Sequence, residues 1–298
     1  MQVRGKVGVL FVHGMGRREA DFAVGLEAAL RSRIPELRTH PELVQFHGAW
    51  WGRVTEPRSR ALIERMQDVG LDWERTRRFV MSNLSNAVAY QRLPQQAEDV
   101  YGRVHRAIAT DLAVLEARLV DGAALVVVAH SLGTHVISNY TWDRWARHPE
   151  SPLAARAGIA EEASPSYSEF QNMASLAGIV MYGSSIPVLT IGYDKLEPLP
   201  FPDIDRLLPQ LRRLRPDITT AAIHGVCEWH NFYDKDDVLG YPLGPLGNGF
   251  EERVHDHQIR AGWLTGLTPL AHMRYEADTD LLLPTAQLIR NVLHLVGA

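Results

Sequence analysis

At 298 residues, 46% hydrophobic and 22% charged, the chain has the size and composition of one large α/β domain or two modest ones with a sizeable core. Its formal net charge of -4 and pI near 6.4 supply no basic field for nucleic acid or anionic lipid, and no stretch approaches the roughly 18 apolar residues that spanning a bilayer needs. One cysteine, Cys227, excludes an intramolecular disulfide framework and fits a reducing compartment.

The first element is the apolar, β-branched run over residues 7–12. It is too short for a signal core and lacks a small-residue cleavage site, so a cytoplasmic protein is expected. The run reads as a strand covered on both faces, ending in His13-Gly14-Met15-Gly16. Phe22, Leu26 and Leu30 recur every four residues and predict a helix, LVQFHGAWW over 43–51 predicts a second strand, and a further helical region is expected to start near residue 60. Residues 52 to about 96 are read as an inserted helical excursion. Val100, Val104, Ile108, Leu112, Leu115 and Leu119 form a long amphipathic helix expected to close at Asp121 and Gly122, before the strand run 123–128.

A helix to about residue 147 follows AHSLG. AGIVMY, over 177–182, is the next strand, and the proline-rich stretch 190–216 is expected to be a loop or partial lid, the lid or long loop covering about 184–222. Residues 227–233 then lead into DKDDVLGYPL. RVHDHQIRA alternates as a strand with polar side chains on one face, and Pro284 starts a last helix that stops at Gly297. No internal repeat or low-complexity tract appears. Strands alternating with helices predict a single domain over 1–298 with a doubly wound, mostly parallel sheet and helices on both faces.

In such a sheet, functional groups gather outside the carboxyl ends of the strands, where Ser131 falls. Ala129 and Gly133, two residues either side, are small enough for a sharp strand-to-helix turn that lifts the serine hydroxyl clear. A serine there is also a common helix cap. For acyl transfer a serine needs a base, a carboxylate to orient it, and donors for the oxyanion. Gly14 and Gly16 let the Met15 amide face the same crevice as the Leu132 amide, while His13 is read as a hydrogen-bonded structural side chain. Trp50, Trp51 and Trp229 read as core aromatics rather than an acyl pocket. Arg17 and Arg18 read as a solvated helix start, and His224 and His230 lack metal-ligand spacing.

VLFVHGMG, AHSLG, NFYDKDDVLGYPL and TPLAHMRY together resemble the α/β-hydrolase superfamily on its lipase and esterase side, in the order nucleophile, acid, histidine. The resemblance implies a Ser, Asp, His triad and two oxyanion-hole amides, without metal or organic cofactor. Three carboxylates compete as the acid. Asp237 is favoured because DVLGYPL is similar to the family pattern, with Asp236 next and Asp234 third; a calcium loop is the rival for this cluster, but its glycine and glutamate spacing is missing. The base is expected after the acid and near the last helix, where His255, His257 and His272 compete. His272 is favoured, since it stands in a loop and its H-x-x-Y pattern is similar to family sequences.

The implied function is a serine hydrolase acting on a small-molecule or lipid-like carboxylic ester or thioester, with activity rising through pH 6 to 7 as a histidine of ordinary pKa becomes neutral. An amidase, peptidase or acyltransferase would keep the same triad, and a catalytically silent binding module would keep only the fold.

Overall fold

A computed structural model describes residues 4–14, 21–57, 61, 64–65, 87–90, 100–146, 167–191, 196–261 and 271–297. Among them six strands, β1 (Gly5–Val12), β2 (Val44–Ala49), β3 (Leu119–His130), β4 (Leu176–Tyr182), β5 (Trp229–Asp234) and β6 (His255–Ile259), form one sheet in the order β2-β1-β3-β4-β5-β6. Every neighbouring pair runs parallel, so the protein is of the α/β class. Burial tracks position in the sheet. The central strands β1, β3 and β4 are almost wholly buried, whereas the edge strand β2 alternates and β6 buries only Ile259. A strand covered on both faces must be apolar at every residue, and an edge strand need not be.

Five helices of eight residues or more lie among the described residues: α1 (Val24–Arg31), α2 (Val100–Glu116), α3 (Leu132–Ala146), α4 (Ile204–Leu214) and α5 (Thr279–Leu295). In α2 the buried residues Val104, Ile108, Leu112 and Leu115 make one apolar stripe. The helix packs against β1, β2 and β3, and α5 packs against β1, β3 and β4. Gly178 on β4 leaves the space that Leu288 of α5 occupies.

Three expectations are corrected. Helix α2 ends at Glu116, and β3 begins at Leu119. Leu119 prolongs the helical spacing only because it is buried again as a strand residue, pairing with Gly5. Asp121 and Gly122 sit where the ladder with β1 breaks register, and Gly122 turns with φ +79 beneath α4. The proline-rich stretch holds a helix, α4, with Pro209 inside it. Asp203 caps it through the Arg206 amide, and Leu207 and Leu211 bury against the sheet. Likewise Pro284 lies inside α5, which starts five residues earlier behind the Asp278 cap. An internal proline costs about 3 kcal/mol. Burying Leu281, Leu282, Leu288, Ile289 and Val292, at roughly 1.5 to 3 kcal/mol each, outweighs it. The expected helix near residue 60 and most of the 52–96 excursion lie outside the described residues.

One buried group on α3 gives a pH signature. His135 accepts from Asn139 Nδ2 at 3.1 Å, and burial lowers its pKa to about 4. The folded chain therefore holds it neutral, while the unfolded chain protonates it below about pH 6.5. Its contribution is complete above pH 6.5 and is lost as pH falls toward 4, on the order of 3 kcal/mol by pH 4. Urea unfolding of His135→Gln, which keeps an acceptor for Asn139, is expected to show a shallower loss of stability across that window. Parallel pH profiles for the two proteins would count against a buried neutral His135.

Candidate active site

The strand order reverses at β1, with β2 on one side and β3 on the other. The carboxyl ends of β1, β3, β4 and β5 lie side by side there, since Val12 pairs with Ala129, His130 with Tyr182 and Tyr182 with Phe232. Each end contributes one part of the site. After β1 come His13 and Gly14, after β3 Ser131, after β4 Gly183, and after β5 the turn bearing Asp237.

Ser131 is tied into the ladder, its amide donating to the Tyr182 carbonyl at 3.1 Å, and its backbone then turns with φ +52. A side chain in this left-handed region costs roughly 1 to 2 kcal/mol, and such strain persists only where surrounding packing imposes it. Two glycines allow that packing. A Cβ on Gly14 would strike the Ser131 Cβ, and one on Gly133 would strike the carbonyls of Val12 and His13. Leu132 is the first residue of α3, so its N–H is one of those the helix itself leaves without a partner, at the end where the helix dipole favours negative charge. Met15 and Gly16, expected beside it, lie outside the described residues, as do Arg17 and Arg18.

His272 stands on a helical turn, Ala271–Met273. Its Nε2 is 2.7 Å from Ser131 Oγ, and its Nδ1 is 2.8 Å from Asp237 Oδ2. The three side chains are buried, Ser131 at 1%, His272 at 4% and Asp237 at 5% exposure. With Nδ1–H facing the carboxylate, the neutral imidazole presents a lone pair at Nε2 to the serine hydroxyl. Burial alone would push the Asp237 carboxyl up. The hydrogen bond and charge of His272, with the Leu239 amide and the Tyr275 hydroxyl, override it and hold the group below its ordinary value. The carboxylate side is closely lined: a Cβ on Gly183, where φ is +55, would meet the His272 ring, and one on Gly240 would meet Asp237 Oδ2.

The competing carboxylates do other things. Asp234 is buried and accepts from the Asp236 and Ala261 amides, closing the turn after β5, while Asp236 is exposed. The competing histidines, His255 and His257, both lie on β6, against β5. His257 is 2.8 Å from His230, which also reaches Glu228 at 3.0 Å, and the His255 ring lies tilted 5.5 Å from that of His230. Burial lowers the pKa of both His230 and His257. Among the described residues no group of three or more His, Cys, Asp or Glu side chains could hold a metal ion. His13 pins β1 to the chain after β2: its Nδ1–H donates to the Gly14 carbonyl at 2.5 Å, its Nε2 accepts from the Gly52 amide at 3.2 Å, and its ring stacks on Trp51. Trp51 and Trp229 are buried in the core.

Two contacts have no counterpart in the sequence reading. His130 Nε2–H donates to the main-chain carbonyl of His272 at 2.9 Å, its ring stacked on Tyr182. Tyr275 donates to Asp237 Oδ2 at 2.9 Å. The quoted H-x-x-Y pattern contained Tyr275, but spacing alone gives no reason for its hydroxyl. No protein-family model matches the chain, and no curated protein matches it.

Proposed function

We propose that the chain is a serine hydrolase of the α/β-hydrolase type, with a doubly wound sheet, cleaving a small-molecule or lipid-like carboxylic ester or thioester. The carrying observation is the continuous hydrogen-bonded line Ser131 Oγ, His272 Nε2, His272 Nδ1, Asp237 Oδ2, at 2.7 and 2.8 Å, with the serine on a strained turn. A capping serine explains the position but not the left-handed backbone or the imidazole. In this reading His272 takes the Ser131 proton as Oγ attacks the carbonyl. The Leu132 amide, with the Met15 amide expected from the sequence, holds the oxyanion. His272 then protonates the leaving alcohol or thiol, and water releases the acid by the same steps.

The reading also places the protein in the cytoplasm. Its single cysteine, Cys227, is buried and pushed up to about 12 by that burial and the neighbouring Glu228 charge, so it is inert as a nucleophile. No helix among the described residues is long and apolar enough to cross a membrane.

The test is labelling with a fluorophosphonate probe and peptide mapping. The expected result is one adduct, on Ser131, with labelling at least about 100-fold slower in His272→Ala, because the hydroxyl loses its base. Well-folded wild type that takes no label overturns the hydrolase reading and leaves a binding module on this fold.

A further inference from the structure

Resting on the serine-hydrolase reading, we propose that Tyr275 is a positioning residue of the proton relay, its hydroxyl holding Asp237 Oδ2 against His272 and setting how much carboxylate charge the imidazolium receives. The hydroxyl lies between two fixed groups. It accepts from the Asp234 amide at 2.9 Å and donates to Asp237 Oδ2 at 2.9 Å. An amide N–H can only donate and an ionised carboxylate can only accept, so the direction of both bonds is determined.

The arrangement answers a mechanical problem. Asp237 is on a turn beyond β5, its own amide bonded to the Asp234 carbonyl at 3.1 Å, whereas Asp234 is the last residue of the strand. Tyr275 thereby references a loop-borne carboxylate to the sheet. Because it lies three residues past His272, one short segment supplies both the base and the clamp on its acid. The ring is 0% exposed, and a phenylalanine would fill the same space, so packing does not call for the hydroxyl. Burial and the adjacent Asp237 charge push its phenol upward and keep it a donor.

The clamp also has an electrostatic consequence. Asp237 Oδ1 accepts from the Leu239 amide at 2.9 Å, while Oδ2 divides its charge between His272 Nδ1–H and the Tyr275 hydroxyl. Removing the hydroxyl leaves more of that charge for the imidazolium, so protonation of His272 becomes easier and the acidic limb moves to higher pH. The other titratable groups around the pair are Asp234 across the hydroxyl, His130 with its ring centroid 4.7 Å from that of His272, Tyr182 stacked on His130 and Glu276 bonded to Tyr182. Lys235 and Asp236 are exposed on the acid's own turn. Tyr275→Phe changes none of these side chains; of this set only Asp234 loses a hydrogen bond, the one from its amide to the Tyr275 hydroxyl.

The experiment is an NMR titration of the His272 ring in wild type, Tyr275→Phe and Tyr182→Phe, with fluorophosphonate labelling rates measured over the same pH range. Tyr275→Phe is expected to raise the His272 midpoint and the acidic limb of labelling by about 0.5 to 1 pH unit, with the plateau rate about three- to tenfold lower. Tyr182→Phe removes a nearby hydroxyl that does not touch Asp237 and leaves the midpoint in place. An unchanged or lowered midpoint in folded Tyr275→Phe overturns the proposal, whatever happens to its melting temperature. If Tyr275→Phe does not fold, 3-fluorotyrosine at position 275 keeps the bond with a stronger donor, and a lowered midpoint is then required. Absence of labelling in wild type counts against the hydrolase reading alone, because the ring titration still decides whether Tyr275 governs His272.

Discussion

Replacing Ser131 with either alanine or glycine is expected to abolish covalent labelling and lower ester turnover by about 10⁴-fold or more, yet the glycine variant is expected to be the more stable of the two. Both lose the hydroxyl and its 2.7 Å bond to His272, so their difference isolates the backbone. At φ +52 an alanine retains the left-handed strain of roughly 1 to 2 kcal/mol. Glycine removes it, while giving back about 0.4 to 1 kcal/mol through its freer unfolded chain. A net advantage of about 0.5 to 1 kcal/mol, or about 2 °C in Tm for a chain of this size, should appear in paired thermal unfolding curves. Equal or reversed stabilities would mean that the turn is not strained in solution. Retained labelling in either variant would move the nucleophile elsewhere.

The strands of the sheet centre were legible because burial on both faces leaves no other composition open to them. Residues 7–12 and 123–128 are continuous apolar runs for that reason. Ser131 was legible for a related reason: a nucleophilic turn must place small residues where Gly133 meets the end of β1. Boundaries were harder to read where one residue satisfies two patterns. Leu119 fits the helical stripe of α2 and the buried face of β3 equally well. The two internal prolines misled for an energetic reason, since the local penalty at Pro209 or Pro284 is smaller than the burial each helix gains, and burial is a property of the whole fold. Within the site, most of the parts that sequence reasoning missed are defined by long-range contact. Gly183 matters because Asp237 and His272 come against it, Gly240 because it packs on Gly183 as well as on Asp237 three residues before it, and the hydroxyl of Tyr275 matters because β5 ends beneath it. Spacing along the chain does not encode the meetings with Gly183, His272 and the end of β5.

The same limitation applied to the three aspartates of DKDD, which the structure distinguishes by partner and which substitution should separate into three behaviours. Asp237→Asn is expected to lower turnover by about 10⁴-fold and to cost about 1 to 3 kcal/mol of stability, because the Tyr275 hydroxyl that donates to Oδ2 then faces an amide donor. An asparagine amide facing Nδ1 favours the imidazole tautomer that carries its proton on Nε2, and that nitrogen then has no lone pair for Ser131. The effect should persist across neutral pH, because Asp237 is held below the ordinary carboxylate range. Its ionised form favours folding above that range and loses its advantage only as pH falls through the lowered value. Asp234→Asn should lose stability without losing the nucleophile. Asp234 uses both oxygens to accept the Asp236 and Ala261 amides. Asparagine has a single acceptor oxygen, so one buried N–H is left facing a donor, costing about 1 to 3 kcal/mol of stability while Ser131 still labels. Asp236 is exposed, and Asp236→Asn should change stability by no more than about 0.5 kcal/mol with labelling intact. Measuring urea midpoints and labelling rates on the three variants gives a pattern with one arrangement allowed. Labelling that survives in Asp237→Asn but disappears in a folded Asp234→Asn or Asp236→Asn would reassign the acid and remove the basis for the Tyr275 clamp.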